Sequence, residues 1–113
     1  MIISIEGFVN GKDTLSELRK TASSLRRKHG SEHVEYANAT LALGDQLNFQ
    51  KQFVEAEQFY RQAAEIYEQL GLGHELLLAI ALRSLSQVLQ LQGKSQESQP
   101  LWAQANELIA HNS

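Results

Sequence analysis

The chain contains no cysteine and a single proline, Pro100, and no part of it approaches the roughly eighteen consecutive apolar residues that a membrane-spanning helix needs. Without thiols, neither a disulfide framework nor a thiolate metal site can form, a composition that fits a reducing compartment. Residues Met1 to Glu6 have neither the basic region nor the long apolar region of a secretory leader. The expectation is a soluble, cytoplasmic protein with no membrane association. Reaction chemistry is also thinly represented. There is no glycine-rich phosphate loop, no HExxH pattern and no nucleophile elbow, and His29, His33, His74 and His111 form no ligand pair at helical spacing. Carboxylates such as Glu55 with Glu57, or Glu65 with Glu68, run along helical stretches beside Gln and Arg and read as solvated faces. The chain is therefore read as a non-enzyme with no cofactor and no bound metal.

What the chain does have is helix-forming composition and a repeat. Ala, Leu, Gln and Glu lose little side-chain entropy in a helix and dominate most of the length, and no β-rich segment competes beyond residue 10. Residues 37 to 67 and 79 to 109 superpose with a shift of 42 positions. The shift pairs Leu43 with Leu85, Leu47 with Leu89, Glu55 with Glu97, Ala56 with Ser98, Phe59 with Leu101, Tyr60 with Trp102 and Ala63 with Ala105. Small faces small and large apolar faces large. A period of this length, with two amphipathic helices in each unit, marks an α-solenoid, whose units bury a core only by stacking on one another.

The elements follow from apolar spacing and breakers. Residues 1 to 12 read as an N-terminal arm, with Ile3, Ile5, Phe8 and Val9 forming a short strand or extended run that turns at Asn10-Gly11. The helical repeat domain spans 13 to 113. Asp13 or Thr14 caps a first helix, 13 to 29, whose stripe is Leu15, Leu18, Ala22 and Leu25. Moved by 42 positions, Leu18 falls on Tyr60 and Leu25 on Tyr67, so this helix is the trailing half of a worn first unit. Two full units follow, 32 to 70 and 75 to 111. Their helices run from about Val34 to Phe49, Gln52 to Leu70, Glu75 to Leu91 and Ser95 to His111, with Ser95 as an N-cap and Pro100 about one turn inside.

At these residues the chain resembles the tetratricopeptide repeat family, and within it the 42-residue variety found in kinesin light chains. Thr40, Leu43, Gly44, Leu47, Ala56, Tyr60 and Ala63 fill the family's small and large positions in one unit, and Leu82, Leu85, Ser86, Leu89, Ser98, Trp102 and Ala105 fill them in the next. The connections Gly30-Ser31-Glu32-His33 and Gly71-Leu72-Gly73-His74 are similar to the glycine-to-histidine loop of the longer variety, which gives His33 and His74 a capping or hydrogen-bonding role. The resemblance covers residues 30 to 110. It implies an all-α, right-handed superhelix of about five helices, with Tyr60 and Trp102 as core anchors and the first helix of each unit lining a concave groove.

That groove would carry Asn38, Leu41, Asp45 and Asn48 from one unit and Ile80, Arg83, Ser84, Gln87 and Gln90 from the next. It is polar, weakly charged and rich in amides. Arg83, its only basic residue, either holds a carboxylate of a bound peptide with Asn48 and Gln87 or pairs with Asp45. Leu41, Asp45 and Ser84 stand where chaperone-binding members place a carboxylate clamp, and Ala42 and Ser84 stand where kinesin-light-chain-like repeats favour asparagine, so neither specialised activity carries over. The expected function is an adaptor that binds a protein or peptide segment of unspecified identity.

Two other functions compete with it. The last helix shows Leu101, Trp102, Leu108 and Ile109, too apolar for a dedicated cap, so the chain is also a candidate for a homodimer through an end of the stack or the N-terminal arm. Charge is uneven. Residues 1 to 30 hold six basic and three acidic side chains (+3), and residues 31 to 113 hold four and ten (−6). The cluster Arg19, Lys20, Arg26, Arg27 and Lys28 could meet phosphates, but no aromatic interleaves it, and Arg19 and Arg26 flank the apolar stripe while Lys20 and Arg27 point elsewhere, so nucleic acid is disfavoured.

Overall fold

The computed structural model describes residues 11–29 and 33–112, and within them the chain is helix, tight turn and helix again. The five helices are α1 (Gly11–His29), α2 (Val34–Phe49), α3 (Phe53–Leu70), α4 (Glu75–Leu91) and α5 (Ser95–His111). The proposed strand and turn at residues 1 to 10 lie outside the described residues. Gly11 and Lys12, assigned above to the arm, already belong to α1.

The ends of the helices are set by local chemistry. At the start of α2 the His33 imidazole accepts a hydrogen bond from the Glu35 backbone N–H through Nδ1 at 3.1 Å, which satisfies one of the donors a helix leaves open. His74, at the matching place before α4, makes no such cap. The α2 and α4 C-termini are closed by one device used twice. Gln52 N–H donates to Leu47 C=O and Lys94 N–H to Leu89 C=O, each at 2.8 Å, around a left-handed residue. That residue is Gly93 in the second unit, with φ of 82°, but Lys51 in the first, with φ of 63°. Ser95 is the first helical residue of α5 and not its cap, since Lys94 holds the cap position. The helix passes through Pro100, whose ring removes only the one N–H that Gln96 would have received.

Consecutive helices pack as neighbours, α2 also touches α4, and among the described residues α1 meets neither α4 nor α5 and α2 does not meet α5. This is an open stack, not a closed bundle. The radius of gyration of 14.8 Å exceeds the roughly 13 Å of a compact domain near this size, as expected for a solenoid. The core lies between successive helices. Ala22, Tyr36, Ala37, Leu43, Ala63, Ala64, Ile66, Tyr67, Leu78, Ala79 and Leu82 form one part, and Leu47, Ala56, Tyr60, Leu85, Val88 and Leu89 the other. Each large side chain so buried contributes about 1.5 to 3 kcal/mol.

The first helix packs on the stack through its apolar stripe. Ala22 of α1 is buried like Ala64 of α3, and Leu18 and Leu25 pack on the core from the positions that Tyr60 and Tyr67 hold in α3. Arg19 Nη2 reaches Glu55 Oε2 at 3.4 Å, and 42 positions later Arg61 Nη2 reaches Glu97 Oε1 at 3.2 Å. The same ion pair thus links α1 to α3 and α3 to α5.

One core assignment fails. Tyr60 is fully buried, but Trp102, its counterpart, is 44 % exposed. Two physical causes are visible. The Tyr60 ring lies so close to Gly44 that a Cβ added there would sit 2.7 Å from Cε1, whereas the matching position in the second unit is Ser86, which has a Cβ and a hydroxyl bonded to Ser98. Moreover, Tyr60 is covered on its far side by Leu85, Val88 and Leu89 of α4, and no helix of the described chain follows α5 to cover Trp102.

Candidate functional site

α2 and α4 lie side by side, and the residues expected to form a groove divide into two groups with different surroundings. The first group is committed to tyrosines of α3. The Tyr60 hydroxyl donates to Asp45 Oδ1 at 2.6 Å, and the Tyr67 hydroxyl donates to Asn38 Oδ1. Asn48 and Ser84 also lie against the Tyr60 oxygen. The two tyrosines stand seven residues apart, two turns of α3, and are both buried, their rings crossing the core so that the hydroxyls reach polar side chains of α2. Burial, and then the Asp45 carboxylate, raises the Tyr60 phenol well above its ordinary range. The same causes push Tyr67 up to about 12. Both are fixed hydrogen-bond donors over the whole physiological range. Leu41, expected in the groove, is half-buried and packs against both parts of the core.

The second group lines a cleft at the surface. Arg83, Ser84, Gln87 and Gln90 of α4 and Trp102 of α5 line an open cleft of about 340 Å³. The Arg83 guanidinium carbon stands 4.7 Å from the centre of the Trp102 ring, within cation–π range. Ile80, one turn earlier on α4, is half exposed. Of the two roles considered for Arg83, pairing with Asp45 is not what the structure shows. Asp45 takes the Tyr60 hydroxyl, and Arg83 turns to Trp102.

Sequence reasoning therefore found four of the five residues that line this cleft and missed Trp102, because the repeat assigned it to the core. It also missed the Tyr60 and Tyr67 hydroxyls. The signal for these was present: an aromatic that traverses a thin helical layer and ends in a hydroxyl carries its polar tip to the opposite face.

An open stack of paired helices, small residues at each helix contact and an ion pair recurring after 42 residues all describe one known repeat. The family model of the tetratricopeptide repeat matches residues 35–108. The chain belongs to the tetratricopeptide repeat family. A comparison with curated proteins finds no match. The matched span begins inside α2 and ends inside α5, so it takes in both full units. Tetratricopeptide repeats generally mediate protein–protein interaction, and the family is typically non-catalytic. Among the described residues no helix is long and apolar enough to cross a membrane.

Proposed function

We propose that this tetratricopeptide domain is an adaptor that holds a peptide or protein segment across α4, with Arg83 and Trp102 as the recognition pair and Gln87 and Gln90 as hydrogen-bonding partners for the bound backbone. The observation that carries this reading is the open cleft of about 340 Å³ in which a guanidinium is held over an indole beside two exposed amides. An arginine kept in place by an aromatic face keeps its N–H fork available for a carboxylate or carbonyl, and loses less side-chain freedom on binding than a mobile one. The amides of Asn38 and Asn48 and the Asp45 carboxylate, tied to tyrosine hydroxyls or lying against them, supply a polar surface continuing from the cleft along α2.

The test is selection of peptides from a random library on the wild-type domain, followed by titration of the selected peptides against Arg83→Ala and Trp102→Ala. Each variant is expected to weaken binding by about tenfold or more, the usual effect of removing an interface arginine or tryptophan. Unchanged affinity in both would remove the cleft from consideration.

Self-assembly is the second reading, and one observation favours it. Leu76, Ile80 and Leu91 of α4 are each half exposed or more, and Trp102 of α5 is 44 % exposed. Light scattering at tens of micromolar would return a dimer mass on this reading and a monomer mass on the first.

A further inference from the structure

The repeat places the same cleft twice on the molecule, on the side formed by the second helices of the units, and the two copies differ in charge. One cleft, about 240 Å³, runs between α1 and α3 over α2, and the other, about 210 Å³, runs between α3 and α5 over α4. Position for position, Arg19 corresponds to Arg61, Ala22 to Ala64, Leu43 to Leu85 and Phe59 to Leu101, so part of the floor is kept between the copies, whereas Tyr36 and Thr40 stand where Leu78 and Leu82 stand in the second. The rim differs as well. Ser23 and Arg26 in the first stand where Glu65 and Glu68 stand in the second. The lining side chains give Arg19 and Arg26, a charge of +2, in the first cleft, against Arg61 with Glu65 and Glu68, a charge of −1, in the second.

Arg19 is held by Glu55 and lies with its guanidinium carbon 5.8 Å from the Phe59 ring centre. Arg26 makes no ion pair with any described carboxylate. The fold has therefore kept an apolar-floored slot and lined it with cations, one of them without a partner.

We propose that the cleft between α1 and α3 binds an acidic peptide segment. The two arginines lie seven residues apart on one helix, roughly 10 Å along its axis. An extended segment in polyproline geometry brings side chains i and i+3 to one face about 9 Å apart, so two acidic residues with two small apolar residues between them match both guanidiniums and the floor. Carboxylates receive the arginine forks, and the intervening side chains cover Ala22, Leu43 and Phe59. A polyphosphate chain would leave that floor unused. This surface is independent of the Arg83–Trp102 cleft, which is built from α4 and α5.

The experiment is fluorescence anisotropy at low salt with a labelled short peptide of repeating Glu-Ala-Ala spacing, its Gln-for-Glu analogue and a single-stranded oligothymidylate of equal charge. The proteins are wild type, Arg26→Glu and Arg27→Glu; the last makes the same charge change on α1 outside the cleft. The expected result is saturable binding of the Glu peptide, with about tenfold or greater loss for the Gln peptide and for Arg26→Glu, and no more than about twofold loss for Arg27→Glu. Equal losses in the two variants would show bulk charge attraction and overturn the proposal. So would absence of binding by wild type, tighter binding of the oligothymidylate, or a wild-type dimer mass that Arg26→Glu returns to monomer. Because Arg26 is solvent-exposed, circular dichroism of the variant should match wild type.

Discussion

The two full units share a backbone plan and differ in how they are filled. In the first, Gly44 and Ala56 admit a tyrosine that is covered by the next unit; in the second, Ser86 and Ser98 bond to one another and leave tryptophan at the surface. Small residues at a helix contact can thus serve two ends. Glycine permits an aromatic to lie flat against the backbone, whereas paired serines replace that packing by hydrogen bonds between Ser86 Oγ and Ser98, and Ser98 Oγ and Ser86 C=O. A repeat fixes where side chains point. It does not fix whether anything lies beyond them.

Substitutions at matched positions should have unmatched effects. Tyr60→Ala should cost about 3 to 5 kcal/mol in urea unfolding, and Trp102→Ala less than about 1, because only the first opens a cavity. Equal costs would mean that the two aromatics are equally buried in solution. Gly44→Ala should cost about 1 to 3 kcal/mol although alanine is the better helix former, because the added methyl would press into the Tyr60 ring; recovery of the loss in Gly44→Ala/Tyr60→Leu would locate the clash. Lys51→Gly should stabilise by about 1 kcal/mol, since Lys51 holds the left-handed φ that Gly93 supplies in the other turn. A fall in melting temperature would reverse that reading.

The smallest effect near neutrality is the dependence on pH. Tyr67 has a folded pKa of about 12 against an ordinary 10, so the folded state retains protons that the unfolded state has released. Its contribution is complete below pH 10 and is lost as pH rises toward 12, and Tyr60 acts in the same direction. Thermal melts should be level on the alkaline side up to about pH 9 and then fall, less steeply in Tyr67→Phe. Glu57 works at the other end of the scale. Burial opposes its ionisation, but hydrogen bonds from Gln92, Arg61 and Lys94 together hold the carboxyl below its ordinary range. Its contribution is present above that range and lost as pH falls through the lowered value.

Helix boundaries were legible because they depend on neighbours in the chain. The spans of α2, α4 and α5 read from spacing and breakers coincide with the structure, and α3 begins one residue later than expected. Antiparallel pairing followed from turns too short to allow anything else. The site was legible only in part. The family resemblance assigned Arg83, Ser84, Gln87 and Gln90 to one groove surface, and these four residues line one cleft. The diversion of Asp45 to Tyr60, the aromatic under Arg19 and the exposure of Trp102 were not legible.

Periodicity and composition were enough to indicate a stack of helical hairpins, because a 42-residue shift keeps small residues on small and large apolar residues on large at most packing positions, and the family match places that stack among the tetratricopeptide repeats. Which polar groups remain free for a partner was decided by the tertiary structure. Availability depends on what stands across the helix layer, and Phe59 beneath Arg19, Tyr60 beside Asp45 and the uncovered side of α5 are brought to those places by contacts that no local pattern encodes.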